Sequence, residues 1–292
     1  MNVTITGASG LIGTRLVAAL RARGDEVTVM SRNAARASGA LGVPAIAWDP
    51  LAGPAPAEAL AGRDAVIHLA GEPVAQRWNA KVKAAILASR ETGTRNLVAG
   101  LSAADPRPGT LVSSSAVGFY GKHGDELVDE RQPAGGDFLA GVCEAWEREA
   151  RAATDLGMRV VLLRTGVVLD PDGGALKTML TPFRAGVGGP VAGGAQYMPW
   201  IHVDDVVGMY LAALDDPSWS GPVNATAPQP VTNREFSKAL GRALHRPAVA
   251  QARPLASTAG TSRISAGHSA TASSSADQVP GSVSHRPQAT RN

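Results

Sequence analysis

Along the first 165 residues, apolar and polar positions switch repeatedly between two periods. Short apolar runs at Val3–Thr6, Val27–Met30, Ala45–Trp48, Ala65–Leu69, Leu111–Ser113 and Val160–Leu163 read as β-strands. Between the first two, Leu11, Ile12, Leu16, Val17 and Leu20 recur at helical spacing, which predicts a helix over Leu11–Arg23. Two further helices are predicted over Ala80–Leu101 and Phe138–Asp155. Strands alternating with helices imply βαβ units and a parallel sheet covered on both faces. The continuous runs AVIHLA and VVLL suit strands buried on both sides.

From Gly166 the texture changes. Glycine is dense in GVVLDPDGG and GVGGPVAGG, which read as loops. A helix is predicted near Leu176–Arg184, and MPWIHVDDVVGMYLAAL reads as a strand followed by a helix. VTNREFSKALGRAL is a helix whose start is marked by Thr232, with Glu235 three residues on. From Gln251 the pattern disappears. Half of residues 251–292 are Ser, Ala or Thr, and none is aromatic. Such a stretch buries too little surface to offset its ordering entropy and is expected to be disordered. The predicted organisation is a nucleotide-binding domain over 1–165, a small substrate lobe over 166–250 and a tail over 251–292.

Charge sharpens this division. The 292 residues carry 28 Lys and Arg against 25 Asp and Glu, a net of +3, and the isoelectric point is about 9.3. Arg253, Arg263, Arg286 and Arg291 lie in the tail, where Asp277 is the sole acid; residues 1–250 hold 24 of the 28 cations and 24 of the 25 acids. The body is balanced, which argues against a nucleic-acid partner. A lone cysteine, Cys143, excludes a disulfide framework and a Cys-based zinc site. No run approaches the length of a membrane span, and the first residues read as a strand rather than a leader, so the chain is read as soluble and cytoplasmic.

The chemistry begins in TGASGLIG, where Gly7, Gly10 and Gly13 lie between the first strand and first helix. Glycines there permit a tight turn and let the backbone approach a pyrophosphate, while the helix presents free N–H groups. A glycine-rich strand–helix turn without a ligand is the alternative. The second strand ends VTVMSRN. An NAD site would place Asp or Glu here for the ribose hydroxyls. Ser31 leaves room for a 2′-phosphate instead and Arg32 can pair with one, so NADP is favoured over NAD.

Taken with HLAG at 68–71 and SSSAVGFYG at 113–121, this chain resembles the extended short-chain dehydrogenase/reductases. GEPVAQRW, SRETGTRNL, DFLAGVCEAWE, GGALKTML, MPWIHVDD and NATAPQPVTNREF narrow the resemblance to the atypical epimerase-family branch, over Met1 to about Val249. The resemblance implies a Rossmann-type doubly wound sheet with a small interleaved C-terminal lobe. It implies a pyrophosphate cradle at Gly7, Ser9, Gly10, Leu11, Ile12 and Gly13. It also implies that Ser31 and Arg32 face the adenosine ribose and Asp49 lies near the adenine. Leu69, Ala70 and Gly71 would then lie beside the nicotinamide ribose, and Ser115 would be the catalytic serine. Members usually continue past Val249 with an apolar helical segment. The abrupt loss of pattern here is therefore expected to reflect either a shifted reading frame near codon 250, leaving the lobe incomplete, or a genuine disordered extension.

One departure from the superfamily matters. Its chemistry uses a Tyr-x-x-x-Lys pair on one helix face, where the lysine lowers the tyrosine pKa for proton transfer. Four residues after Tyr120, Tyr197 and Tyr210 stand Gly124, Ile201 and Leu214. The general acid is thus unassigned, with Tyr120, followed by Lys122, as the candidate and a packing tyrosine as the alternative. Glu72, Arg77 and Trp78 follow a strand end, where open sheets bind ligands. Arg77 is a candidate for an anionic group and Trp78 for stacking, or else they are a solvated charge and a core ring. Gln196 borders the cleft by resemblance. His68 is expected as a buried hydrogen-bonded ring, Cys143 as a redox thiol or an inert buried one, and His202, Asp204 and Asp205 as structural rather than metal-binding. Two functions follow: an NADP-dependent oxidoreductase or epimerase-like enzyme for a small polar or nucleotide-linked substrate, or a non-catalytic NADP-binding sensor or assembly partner.

Overall fold

A computed structural model describes residues 1–248 and the backbone of Arg263–Ile264. In chain order the elements are β1 (Asn2–Thr6), α1 (Leu11–Ala22), β2 (Glu26–Ser31), α2 (Ala34–Leu41), β3 (Ala45–Ala47), β4 (Ala65–His68), α3 (Ala80–Ala103), β5 (Thr110–Ala116), β6 (Leu127–Val128) and α4 (Phe138–Arg151). They continue as β7 (Arg159–Thr165), β8 (Val167–Asp170), α5 (Gly174–Arg184), β9 (Tyr197–Met198), β10 (Trp200–His202), α6 (Val203–Asp215), β11 (Gly221–Ala225), β12 (Val231–Thr232), α7 (Asn233–Ala243) and β13 (Arg263–Ile264).

Seven strands form one sheet in the order β3-β2-β1-β4-β5-β7-β11, all parallel. The chain winds outward from β1 in both directions, which makes this a doubly wound Rossmann-type fold. The period-2 pleat divides each strand between two cores. Val3, Ile5, Ile67 and Val161 face Leu16 and Leu20 of α1 and Val206 and Tyr210 of α6. Val66, Leu111, Val160 and Leu162 face Leu97 and Leu101 of α3 and Ala150 of α4. The strands are buried on both faces, so their apolar runs are continuous.

Three segments differ from the sequence expectation. A helix, α2, occupies a stretch to which the sequence reading assigned no element. It is short and alanine-rich, and its signals are its ends: the Asn33 side chain accepts from the Arg36 N–H, and Gly42 closes the helix at φ 64°. GVVLD was read as loop, but Val167–Asp170 is a strand paired with β10. Gly221–Ala225, unread as a strand, forms the seventh strand of the main sheet against β7.

The last point bears on the boundary at residue 165. The segment after it returns to the sheet through α6, which packs beside α1, and through β11. The expected lobe of 166–250 therefore shares the main core, and its separate parts are α5, α7 and the short β9–β12 pair. Thr232 and Glu235 form a reciprocal capping box at the start of α7. Most of the tail from Gln251 lies outside the described residues, and so does the expectation of a shifted frame. At Arg263–Ile264 the chain pairs in parallel with β6.

Leu97 is fully buried under the sheet. Leu97→Ala is expected to cost about 2–5 kcal/mol, read as a lowered urea midpoint with unchanged slope.

Candidate functional site

The site is built at the C-terminal ends of β1, β2 and β4. Gly7 follows β1 at φ 68°. A Cβ on it would stand 2.7 Å from the Leu69 carbonyl carbon and 2.8 Å from the Ala70 nitrogen. A Cβ on Gly13 would stand 2.6 Å from Ala8 Cα and from the Gly7 carbonyl oxygen. Both contacts are with backbone and cannot yield. These glycines seat the β1–α1 turn against the end of β4 and α1 against the turn. Gly10 caps α1 without any side-chain bond, so no capping side chain satisfies the first-turn N–H groups at the positive end of the helix.

The turn forms one wall of a 310 Å³ cleft. Gly7, Ser9 and Gly10 line this wall, Ser31 and Arg32 the end of β2, and Leu69, Ala70 and Gly71 the end of β4. These sequence-predicted residues are therefore brought together. Ser31 accepts from the Asn33 N–H at 3.2 Å. Arg32 is exposed and makes no hydrogen bond or ion pair among the described residues. Leu11, Ile12 and Gly13 stand behind the lining, in the first turn of α1, with Leu11 against Gly173 and Gly174. Asp49 is exposed and caps the Leu51 N–H at 3.0 Å; its neighbours Trp48 and Pro50 line the cleft instead. Trp48 escaped sequence reading because it ends a short apolar run and reads as core. It is indeed buried, with its indole N–H on the Gly53 carbonyl at 3.1 Å.

Beneath the cleft lies a buried polar chain. Thr6 Oγ1 accepts from the Leu69 and Ala70 N–H groups, both at 3.2 Å. Its own hydrogen is thus free for His68 Nδ1 at 2.7 Å, which makes Nε2 the protonated nitrogen, donating to Thr94 Oγ1 at 3.0 Å. Burial, with the Arg90 charge in addition, lowers the His68 pKa to about 4. The ring is a neutral strut that fixes the end of β4.

The residues expected to meet substrate are scattered. The Glu72 backbone N–H donates to Ser89 at 2.9 Å and its carboxylate accepts from the Gln76 amide at 3.2 Å. Arg77 is exposed and unpaired among the described residues. Trp78 packs edge-on against Phe138, with its indole N–H on the Val74 carbonyl at 2.9 Å, so it is an anchored ring. Gln196 donates to the Val191 carbonyl at 2.9 Å and stabilises the loop before α7. None of the four lines the cleft.

The catalytic candidates lie in a second buried network beyond β4. Ser115 is 3% exposed and donates to Glu147 Oε1 at 2.7 Å. Arg164 grips the same carboxylate through Nε at 2.8 Å and Nη2 at 2.9 Å, and Arg151 adds a bond to Oε2 at 3.1 Å. Arg164 Nη1 also donates to the Tyr120 hydroxyl at 3.0 Å, which in turn donates to Asn224 Oδ1 at 2.6 Å. Tyr120 is fully buried, and burial raises its pKa against the pull of Arg164. The expectation of Tyr120 as proton donor is therefore corrected: its one hydrogen is committed to Asn224, away from solvent. Ser115 likewise has its hydrogen on a carboxylate and only lone pairs left to offer. Glu147 and Arg164 went unread because single charged residues on a helix and a strand resemble solvated positions. Cys143 is buried, and burial pushes its thiol up to about 12, so it is inert. Among the described residues no helix is long and apolar enough to cross a membrane. No group of three or more His, Cys, Asp or Glu among them is placed to hold a metal ion, and the His202 ring caps α6 by accepting from the Asp204 N–H at 3.2 Å.

Comparison with known proteins agrees with this geometry. The profile of the NAD dependent epimerase/dehydratase family matches residues 3–225. An epimerase family protein of Mycobacterium bovis is 46% identical over 246 residues, covering 84% of this chain and 79% of that protein. The epimerase family protein YfhF of Bacillus subtilis is 36% identical over 248 residues, covering 85% and 81%. Among solved structures, the human epimerase family protein SDR39U1 (isoform 2) with NADPH superposes at a TM-score of 0.78 with 36% identity, covering 87% of this chain and 83% of that one.

The buried imidazole makes stability depend on pH. His68 takes up a proton near pH 4 in the folded chain and near pH 6.5 when unfolded. Its contribution is therefore complete above about pH 6.5 and is lost as pH falls towards 4, by about 3 kcal/mol in all. Denaturation of the wild type at pH 7 and pH 4.5, compared with His68→Gln, is expected to show a smaller pH difference in the variant.

Proposed function

Because the chain belongs to the NAD dependent epimerase/dehydratase family, we propose that it is an NADP-dependent, epimerase-type oxidoreductase acting on a small polar or nucleotide-linked substrate. The observation that carries the reading is the pair Ser31–Arg32 at the rim of the cleft, with no acid at the end of β2 and no partner for Arg32 among the described residues. A guanidinium in that position is suited to a 2′-phosphate, whereas a carboxylate would repel it. Gly7, Gly10 and Gly13 would hold the pyrophosphate against the start of α1, with Ser9 beside it. Leu69, Ala70 and Gly71 would support the other half of the cofactor. The NADPH held by the human relative supports this choice. When bound, the cofactor supplies a hydride donor or acceptor. The proton that accompanies the hydride comes from a group other than Tyr120.

A second reading has its own support. Ser115 donates to Glu147 rather than towards the cleft, and a Tyr-x-x-x-Lys pair is lacking. Both favour a non-catalytic NADP-binding protein that reports redox state or assists assembly.

Calorimetric titration with NADP and NAD in parallel tests the cofactor choice. NADP is expected to bind at least about tenfold more tightly, and Arg32→Ala to remove most of that difference. Equal affinities in the wild type would refute the assignment. Hydride exchange between bound NADPH and a panel of carbonyl compounds separates the two functions. Exchange with any member of the panel supports the enzyme, whether or not Ser115→Ala removes it, and no exchange across the panel supports the sensor.

A further inference from the structure

The β4 wall of the cleft is backed by a positive charge that forms no ion pair among the described residues. Arg90 lies on α3, half-buried, directly behind Gly71. A Cβ on Gly71 would stand 3.1 Å from the guanidinium carbon and 3.2 Å from Nη2, so the cation packs flat on the cleft backbone. Its Nη1 donates to the Glu72 carbonyl at 3.0 Å and the Ile86 carbonyl at 3.3 Å, with the Ser89 hydroxyl at 3.5 Å. Its other face covers the Trp146 ring at 4.9 Å. All of these partners are neutral. No carboxylate comes within 4.0 Å of Arg90, and its Nε and Nη2 meet no acceptor among the described residues.

The surrounding groups leave the charge standing. Glu72 acts on Arg90 only through space, with its carboxylate on the Gln76 amide. Glu147 is matched by Arg164 and Arg151. His68 and the Cys143 thiol are neutral at pH 7. Lys83 adds a further cation over Phe138 and Trp78. Burial disfavours the charged guanidinium, yet an arginine does not deprotonate in the working range of a protein. The cost of holding this cation uncompensated is met by the fold, and Ser89 and Arg90 together pin both the N–H and the carbonyl of Glu72.

A dinucleotide lying across the strand ends of such a sheet, with its adenosine at β2 and its pyrophosphate at α1, extends towards β4. Arg90 therefore stands at the nicotinamide end. Oxidised nicotinamide carries a positive charge on its ring, and the reduced ring is neutral. We propose that Arg90 makes the site discriminate between the two redox states of its cofactor, favouring NADPH over NADP+ by charge repulsion. The inference rests on the NADP reading above and adds to it a preference for the reduced form. A like charge in partly buried surroundings at close range changes a binding constant about tenfold.

The test is the ratio of dissociation constants for NADPH and NADP+, by fluorescence and calorimetric titration of the full chain. The wild type is expected to bind NADPH about tenfold more tightly. Arg90→Met and Arg90→Gln are expected to bring the ratio towards one by strengthening NADP+ relative to NADPH, a change that misfolding does not produce; the glutamine can still donate to the Glu72 carbonyl. Arg90→Lys keeps the charge and is expected to keep the ratio. Ser89→Ala loosens the wall without altering charge, and is expected to weaken both forms alike. A wild-type ratio near one overturns the inference whatever the variants do. So does a ratio unchanged by both neutral variants, while the cofactor reading stands. Failure of both forms to bind the wild type overturns the inference and the cofactor reading together, and tighter binding of NADP+ than of NADPH overturns the inference alone.

Discussion

The close approach of two backbones at the head of the sheet is the constraint on which the rest depends. Gly7 lies so near Leu69 and Ala70 that no side chain fits between them. The Thr6 hydroxyl joins the same two segments by accepting both N–H groups of the β4 end. From this junction follow the position of α1, the direction of its free N–H groups and the width of the cleft. The His68 ring supports the junction from below and must remain neutral to do so. The apolar core on each side of the sheet holds these pieces in register, but the junction determines what the cleft can accept.

The molecule has two polar systems with different fates. The first surrounds the cleft and is left open: the start of α1 has no side-chain cap, and neither Arg32 nor Arg90 forms an ion pair among the described residues. The second, beyond β4, is closed on itself. Ser115, Glu147, Arg164, Tyr120 and Asn224 satisfy one another in the interior and tie β5, β7, β11 and α4 together. Removing one partner from a buried pair of this kind costs far more than the pair contributes. Ser115 accordingly belongs to this network, with its hydroxyl on the Glu147 carboxylate. An open, glycine-walled cleft beside a closed acid–base network is the central feature of this protein.

Much of this was legible in the sequence, and the limits were physical. The glycine spacing, the Ser31–Arg32 substitution and the buried runs of β1, β4 and β7 are local signals, and the structure brings those residues together. α2 was missed because eight mostly small residues carry little periodicity, and its evidence lies only in Asn33 and Gly42. β11 was missed because a strand that begins Gly-Pro has no pattern until β7 pairs with it. Tyr120 looked available because sequence gives proximity along the chain. Its commitment to Arg164 and Asn224 spans 44 and 104 residues respectively, and no local reading reveals that. The meaning of Arg90 needed the neutral partners around it.

The most direct test of the account is a crystal structure of the chain grown with NADPH. The account predicts the adenosine 2′-phosphate against Arg32, the pyrophosphate on the first turn of α1, and the Ser115 hydroxyl still on Glu147. A cofactor placed elsewhere, or Ser115 turned from Glu147 towards the nicotinamide, would contradict it.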